Sequence, residues 1–277
     1  MIQNLPQKYA RLLKILTDLG SCLVTYSGGV DSTLLLFTAR EALGKDATGI
    51  LIDSPLLSKR EKASALDIAN ELKVPLLIVH VDPFQNEHFI ENGRERCYFC
   101  KKFLFKTIRT IAKENGFTAV CEGSNVDDLS DFRPGRKALQ EMGIISPLVD
   151  AGFTKEAIRQ ISREKNLPNW NQPSLSCLAT RIPYGTPVTI DRLQRIEKAE
   201  DLLHQMGFQQ LRVRDHDTIA RIEVPLTDMT WILTDTHRQK ITNALKSCGY
   251  QFITLDLEGF RSGSMNSMGI GKSKNEG

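Results

Sequence analysis

The short run Cys22-Leu23-Val24-Thr25 passes directly into Tyr26-Ser27-Gly28-Gly29-Val30-Asp31-Ser32-Thr33, and the chain continues as Leu34-Leu35-Leu36-Phe37 with Ala39 and Leu43. The first segment reads as a buried parallel strand and the last as the amphipathic helix leaving the turn. Few folds accept this order, because the turn must sit at the carboxyl end of a strand and open a helix. Several backbone N–H groups there have no helical partner, and the helix dipole favours negative charge, so the turn attracts phosphate oxygens. Gly28 and Gly29 let the backbone come close, while Ser27, Ser32 and Thr33 bring hydroxyls. Asp31 is the wrong sign for an anion site unless a divalent cation bridges it to the phosphates, which points to Mg²⁺. A Walker loop is excluded, since its closing Lys-Ser/Thr pair is missing. Gly271-Lys272-Ser273 imitates that ending, but Asn266 occupies the first glycine position and no strand is expected before it.

Downstream, strands and helices alternate. Strands are expected at Ala47 to Ile52, Pro75 to Val81 and Thr118 to Cys121. Helices are expected at Ser58 to Leu72, Phe103 to Asn115 and Thr154 to Lys165, the last with Thr154 as N-cap. This pattern predicts an α/β fold with a doubly wound parallel sheet. Ligands of such sheets bind beyond the carboxyl ends of strands, where Ser27 to Ser32, Asp53-Ser54 and Glu122-Gly123-Ser124 fall. After Tyr184-Gly185-Thr186-Pro187 the pattern changes. A helix at Asp191 to Met206, strands at Gln210 to Asp215 and Ile219 to Val224, a mostly helical stretch at Asp228 to Ser247 and a strand at Phe252 to Leu257 predict a smaller α+β domain. The expected division is 1–184, 185–262 and a poorly ordered Gly-, Ser- and Lys-rich tail, 263–277.

Among 277 residues, 41% are hydrophobic and 25% charged, an ordinary globular composition, and the net charge of +3 argues for no nucleic-acid partner. No run approaches a membrane span and no signal-peptide core is present, so a cytoplasmic protein is expected. In that compartment six cysteines are not a disulfide framework. Cys22 and Cys121 fall in buried strands and Cys248 at a helix end. Cys97-Tyr98-Phe99-Cys100 is a CxxC, and Cys177 stands apart in Ser174 to Gly185 with Arg181 nearby to favour its thiolate. A CxxC suits a metal, an iron–sulfur cluster or a redox pair, or is simply two thiols on a helix face.

The turn at Ser27 to Ser32 resembles the SGGxDS loop of the ATP-pyrophosphatase (PP-loop) superfamily, whose members split ATP into AMP and pyrophosphate. Further segments resemble one branch, the LarE-type sulfur transferases, along nearly the whole chain: Gly123 to Asp128 with Asp131 to Gly135, Cys177 to Gly185, Arg212-Val213-Arg214, Ala220 to Glu223 and Leu255 to Gly263. The resemblance implies an adenine nucleotide alpha hydrolase-like fold and a small-molecule substrate, pyridinium-3,5-biscarboxylic acid mononucleotide. ATP would adenylate a ring carboxylate, a sulfur nucleophile would displace AMP, and the thiocarboxylate would serve the nickel-pincer cofactor of lactate racemase. It further implies a homo-oligomer, with neither nucleic acid nor membrane as partner, and a sulfide or persulfide donor.

One family branch gives up the sulfur of the cysteine matching Cys177. Another holds a [4Fe-4S] cluster on cysteines matching Cys97, Cys100 and Cys177. All three are present here, so the cluster form is expected, with a sacrificial Cys177 as alternative. The resemblance gives Asp31 and Ser32 catalytic roles beside Cys177, with nucleotide contacts from the loop, Ser54 and Gly123. Arg181, Arg212, Arg214 and Arg261 would clamp the substrate's phosphate and carboxylates, Arg212 and Arg214 lying on one strand face. Glu200 and Glu223 match positions near substrate and subunit contacts, and a metal role for them is weaker, since surface salt bridges to the neighbouring arginines explain them as well. Asp127 and Asp128 are expected to cap turns, Asp131 to hold Mg²⁺, and His216 to face solvent. The rivals are a tRNA thiolase of the same superfamily, which needs a basic RNA surface; an amidotransferase-type synthetase, which has no use for three cysteines; and a non-catalytic nucleotide-binding scaffold.

Overall fold

Alternate residues of the first strand enter different cores, which is why its run reads as continuously apolar rather than alternating. Cys22 and Val24 enter one core with Leu34, Leu35, Ala65 and Ile158, whereas Leu23 enters another with Ile50, Phe105, Ile108 and Val120. A computed structural model describes residues 5–129, 134–261 and 263–267. Asp131, expected at Mg²⁺, and residues 268–277 of the expected disordered tail lie outside the described residues. The strands are β1 (Cys22–Thr25), β2 (Ala47–Asp53), β3 (Leu76–His80) and β4 (Ala119–Cys121), all parallel in the order β3-β2-β1-β4. Cys22 stands opposite Ala47 on one side and Ala119 on the other. Helices Val30–Leu43, Lys59–Glu71, Arg96–Glu114 and Lys155–Glu164 flank this sheet, and the first unit is therefore α/β.

Local chemistry sets the helix ends. Ser58 accepts the Glu61 N–H while Glu61 reaches back, a complete capping box, and Thr154 caps its helix through Ala157. The helix expected from Phe103 starts at Arg96 instead, with Glu95 at an N-cap that makes no side-chain bond. Apolar periodicity begins only beyond the CxxC, which hides the first turn from a reading by pattern.

The chain divides into two compact units: residues 1–89 with 95–175, and residues 90–94 with 176–277. The boundary thus falls ahead of the Tyr184-Gly185 change, and Ile90–Arg94 joins the second unit. The reason is Asn92, fully buried in a left-handed conformation, whose amide donates to the carbonyls of Pro183 (2.8 Å) and Thr186 (2.6 Å). The second unit holds β5 (Arg212–His216), β6 (Ile219–Glu223) and β7 (Phe252–Leu255). The first pair is antiparallel and the second parallel. Leu203, Phe208, Val213, Ile222, Ile241 and Leu245 fill its core. The expected disordered tail begins otherwise: Ser264–Ser267 is a 3₁₀ turn in which Ser264 and Met265 are buried. No helix among the described residues is long and apolar enough to cross a membrane.

Candidate active site

Strand β1 ends in a turn whose backbone is dictated by packing. Gly28 has φ +75°, and a Cβ there would lie 2.6 Å from the Cβ of Ala65 on the neighbouring helix. Tyr26 anchors the approach, its hydroxyl donating to the Ala65 carbonyl at 2.9 Å. Gly29 is the N-cap of the 14-residue helix Val30–Leu43 and supplies no side-chain cap, so the first-turn amides stay available to an anion. Behind them Gly123 comes so close that a Cβ would meet the Ser32 nitrogen at 3.2 Å.

The side chains divide into those that build the turn and those that face outward. Ser32 is buried; its hydroxyl accepts the Ser27 N–H and donates to the Gly29 carbonyl. Thr33 is buried too, its hydroxyl accepting from Asn169 at 2.9 Å. Both hydroxyls, expected to serve the nucleotide, are bonded within the chain and hold the loop's shape. Ser54 likewise accepts from Leu56 within the turn after β2. Ser27 is exposed. Asp31, half-buried in the first helical turn, receives the Asn125 amide on one carboxylate oxygen at 2.9 Å. Burial pushes its carboxyl upward and Asp128 adds to the rise, while Asn125, Lys155 and Arg159 pull the other way. A carboxylate so placed, one oxygen tied, fits a hard divalent cation.

Asn125 carried no role in the sequence reading although it organises this corner. It is fully buried, and its side-chain oxygen accepts the Asp127 N–H while its own N–H reaches Asp128. Asp127 accepts the Lys155 N–H at 2.8 Å and Asp128 pairs with Lys155, so both act as turn and helix caps.

Cys97 and Cys100 lie one turn apart at the start of helix Arg96–Glu114, both half-buried, and the buried Arg96 guanidinium is 3.9 Å from the Cys97 sulfur. None of the six cysteines, all among the described residues, is joined in a disulfide. Two soft thiols at this spacing suit an iron–sulfur cluster by donor chemistry. Among the described residues no three His, Cys, Asp or Glu side chains form a group that could hold a metal ion.

In the second unit, Cys177 precedes the 3₁₀ turn Leu178–Arg181, half-buried and with its backbone fixed. Its carbonyl accepts from the Thr180 N–H, the Thr180 hydroxyl and Arg181. Arg181, expected in a substrate clamp, is 1% exposed and bidentate to Glu200 at 3.0 and 2.9 Å, with further bonds to Ser176. Arg214 is also buried, held by Glu223 (2.6 Å), the Thr180 carbonyl and Ser264. A clamp cannot be built from guanidiniums so engaged; Glu200 and Glu223 do pair with arginines, but these salt bridges are buried and not on the surface as expected. Arg212 stacks over Phe260 and Arg261 pairs with Asp256 and Glu258; these two remain partly exposed. His216, expected in solvent, has its Nε2 buried. Burial and Arg221 together hold its pKa down.

A parallel α/β sheet whose first strand feeds an uncapped glycine turn, with an aspartate in the first helical turn, defines the ATP-pyrophosphatase class. Distant likeness agrees: a chain of the glutamine-hydrolysing GMP synthase of Archaeoglobus fulgidus is 19% identical over 205 residues, 67% of this chain and 65% of that one. Nearer relatives narrow the class. The pyridinium-3,5-bisthiocarboxylic acid mononucleotide synthase of Lactiplantibacillus plantarum is 38% identical over 264 residues, 95% of each chain. An uncharacterized protein of Synechocystis is 37% identical over 262 residues, 95% of this chain and 98% of that protein. No family model matches the chain. The chain belongs to the LarE family, that of the pyridinium-3,5-bisthiocarboxylic acid mononucleotide synthases.

Proposed function

We propose that this chain is an ATP-dependent sulfur transferase acting on pyridinium-3,5-biscarboxylic acid mononucleotide. The observation that carries the reading is 38% identity along 95% of the chain to a synthase of the corresponding bisthiocarboxylic acid. The turn after β1 agrees with it.

A carboxylate resists nucleophiles because its oxygen is a poor leaving group. In the proposed first step a ring carboxylate oxygen attacks the α-phosphorus of ATP, the bond to pyrophosphate breaks, and an acyl-adenylate forms. The amides at Gly29 to Ser32 stabilise negative charge on the departing pyrophosphate. Mg²⁺ on Asp31 would supply charge neutralisation there. In the second step a sulfur nucleophile attacks the acyl carbon and AMP leaves with the original oxygen, giving the thiocarboxylate. A [4Fe-4S] cluster on Cys97, Cys100 and Cys177 would supply that sulfur. With Cys177 as sacrificial donor, its sulfur displaces AMP to give a thioester; a base then takes the Cα proton as the Cβ–S bond breaks, so the sulfur leaves as the thiocarboxylate and dehydroalanine remains. Arg212 and Arg261 carry the substrate-clamp role that Arg181 and Arg214 do not. The recipient of the product is the nickel-pincer cofactor of lactate racemase, and the working form is a cytoplasmic homo-oligomer fed by a sulfide or persulfide donor.

The test is AMP and pyrophosphate release by purified protein with ATP and Mg²⁺, with and without the pyridinium mononucleotide. Release that depends on the mononucleotide is expected; release indifferent to it would remove this substrate.

A further inference from the structure

We infer that Asn169 is a positioning residue of the nucleotide site, fixing the direction in which the Gly29 amide points. Asn169 lies outside every motif named above, in the turn Leu167-Pro168-Asn169 that follows helix Lys155–Glu164. Leu167, 1% exposed, ties that turn into the same core as Leu34 and Leu35. Asn169 is itself 5% exposed, and its amide nitrogen donates to the Gly28 carbonyl at 2.7 Å and to the Thr33 hydroxyl at 2.9 Å. The Gly28 carbonyl can only accept, so the nitrogen, not the oxygen, must face it.

A single amide therefore grips both ends of the turn. A peptide unit is planar and trans, so its C=O and N–H point in opposite directions. Holding the Gly28 carbonyl toward Asn169 aims the N–H of the same unit, that of Gly29, away from the core. That N–H donates a long, weak hydrogen bond of 3.4 Å to the exposed Ser27 hydroxyl, which a phosphate oxygen would replace. Packing against Ala65 holds the Gly28 Cα, but the peptide between the two glycines has no Cβ on either side to stop its rotation, which would turn a carbonyl toward the anion instead of an amide. Asn169 removes that freedom before ligand arrives, and preorganisation of this kind raises affinity for what the turn contacts.

This rests on the reading of the turn as the ATP phosphate site. The experiment is titration calorimetry of the full chain with ATP and with AMP, Mg²⁺ present, for wild type, Asn169→Ala and Asn169→Asp. The aspartate keeps the shape but presents an oxygen to the Gly28 carbonyl; the alanine adds no buried charge and serves where the aspartate fails to fold. Both variants are expected to lose about tenfold in ATP affinity, while AMP affinity, which does not depend on the pyrophosphate contacts, moves much less. General damage would lower both affinities together, so an unchanged ATP-to-AMP ratio overturns the role. A wild-type chain with no affinity for ATP overturns the phosphate-site reading and this inference with it. Wild-type binding with an unmoved ratio overturns the inference alone.

Discussion

Gly28→Ala and Gly29→Ala look equivalent on paper, and the structure separates them. At Gly28, φ is +75° and the new methyl would sit 2.6 Å from Ala65 Cβ and 2.8 Å from Ala65 Cα, both on a packed helix that cannot yield cheaply. The left-handed conformation costs a non-glycine residue about 1–2 kcal/mol. Overpacking a filled core adds about 1–3 kcal/mol. The stiffer unfolded chain returns at most about 1 kcal/mol. The net expectation is a loss of about 1–5 kcal/mol. Gly29 has ordinary extended angles, φ −72° and ψ 159°. A methyl there meets only Ser27 Oγ at 3.4 Å and Leu175 Cδ1 at 3.9 Å, so its stability should stay within about 1 kcal/mol of wild type. Urea unfolding of the two variants, followed by far-UV circular dichroism, reads the difference directly. Equal losses, or a larger loss at Gly29, would refute the claim that helix packing behind Gly28 sets the turn.

Other consequences follow from the same geometry. Glu200→Ala leaves the buried Arg181 without its carboxylate and should cost about 3–5 kcal/mol in chemical denaturation. Burial pushes the Glu200 carboxyl up, but Arg181, Arg212 and the Val213 N–H outweigh it and hold it below the usual range. That stabilisation is complete above the unfolded carboxylate pKa of about 4.3 and is lost as pH falls through the lower folded value; Glu200→Gln should flatten this part of the acid-unfolding curve. Protein purified without oxygen should contain about four irons per chain and absorb broadly in the visible, and Cys97→Ala should lose both. Iron-free protein that cannot be reconstituted would move the sulfur source to Cys177, with dehydroalanine visible by mass after one turnover. Cys177→Ala should stop sulfur transfer yet leave pyrophosphate release intact, whereas Asp31→Ala should slow the release itself.

Much of the first unit was legible because its signals are local. A strand, two glycines and a helix are contiguous in sequence, and Ser58 with Glu61 or Thr154 with Ala157 announce helix starts within four residues. What stayed hidden depends on distant partners. Asn169 meets Gly28 and Thr33 across separations of 141 and 136 residues, and nothing around it in the chain marks it out. Arg181 and Arg214 showed their charge, and Glu200 and Glu223 were named as salt-bridge partners, but nothing in the sequence showed that these pairs are buried. Glu200 lies 19 residues from Arg181, on another element, so a buried ion pair read as a substrate clamp. Glu223 was within reach of reasoning, since it stands opposite Arg212 on the paired strand and Arg214 is its diagonal neighbour.

The most direct test of the proposed sulfur transfer is the mass of the pyridinium mononucleotide after incubation with the purified chain, ATP, Mg²⁺ and a sulfide source. Replacement of a carboxylate oxygen by sulfur is expected, with AMP and pyrophosphate formed in step. Turnover of ATP with the mononucleotide unchanged in mass, or conversion of the mononucleotide without AMP, would contradict it.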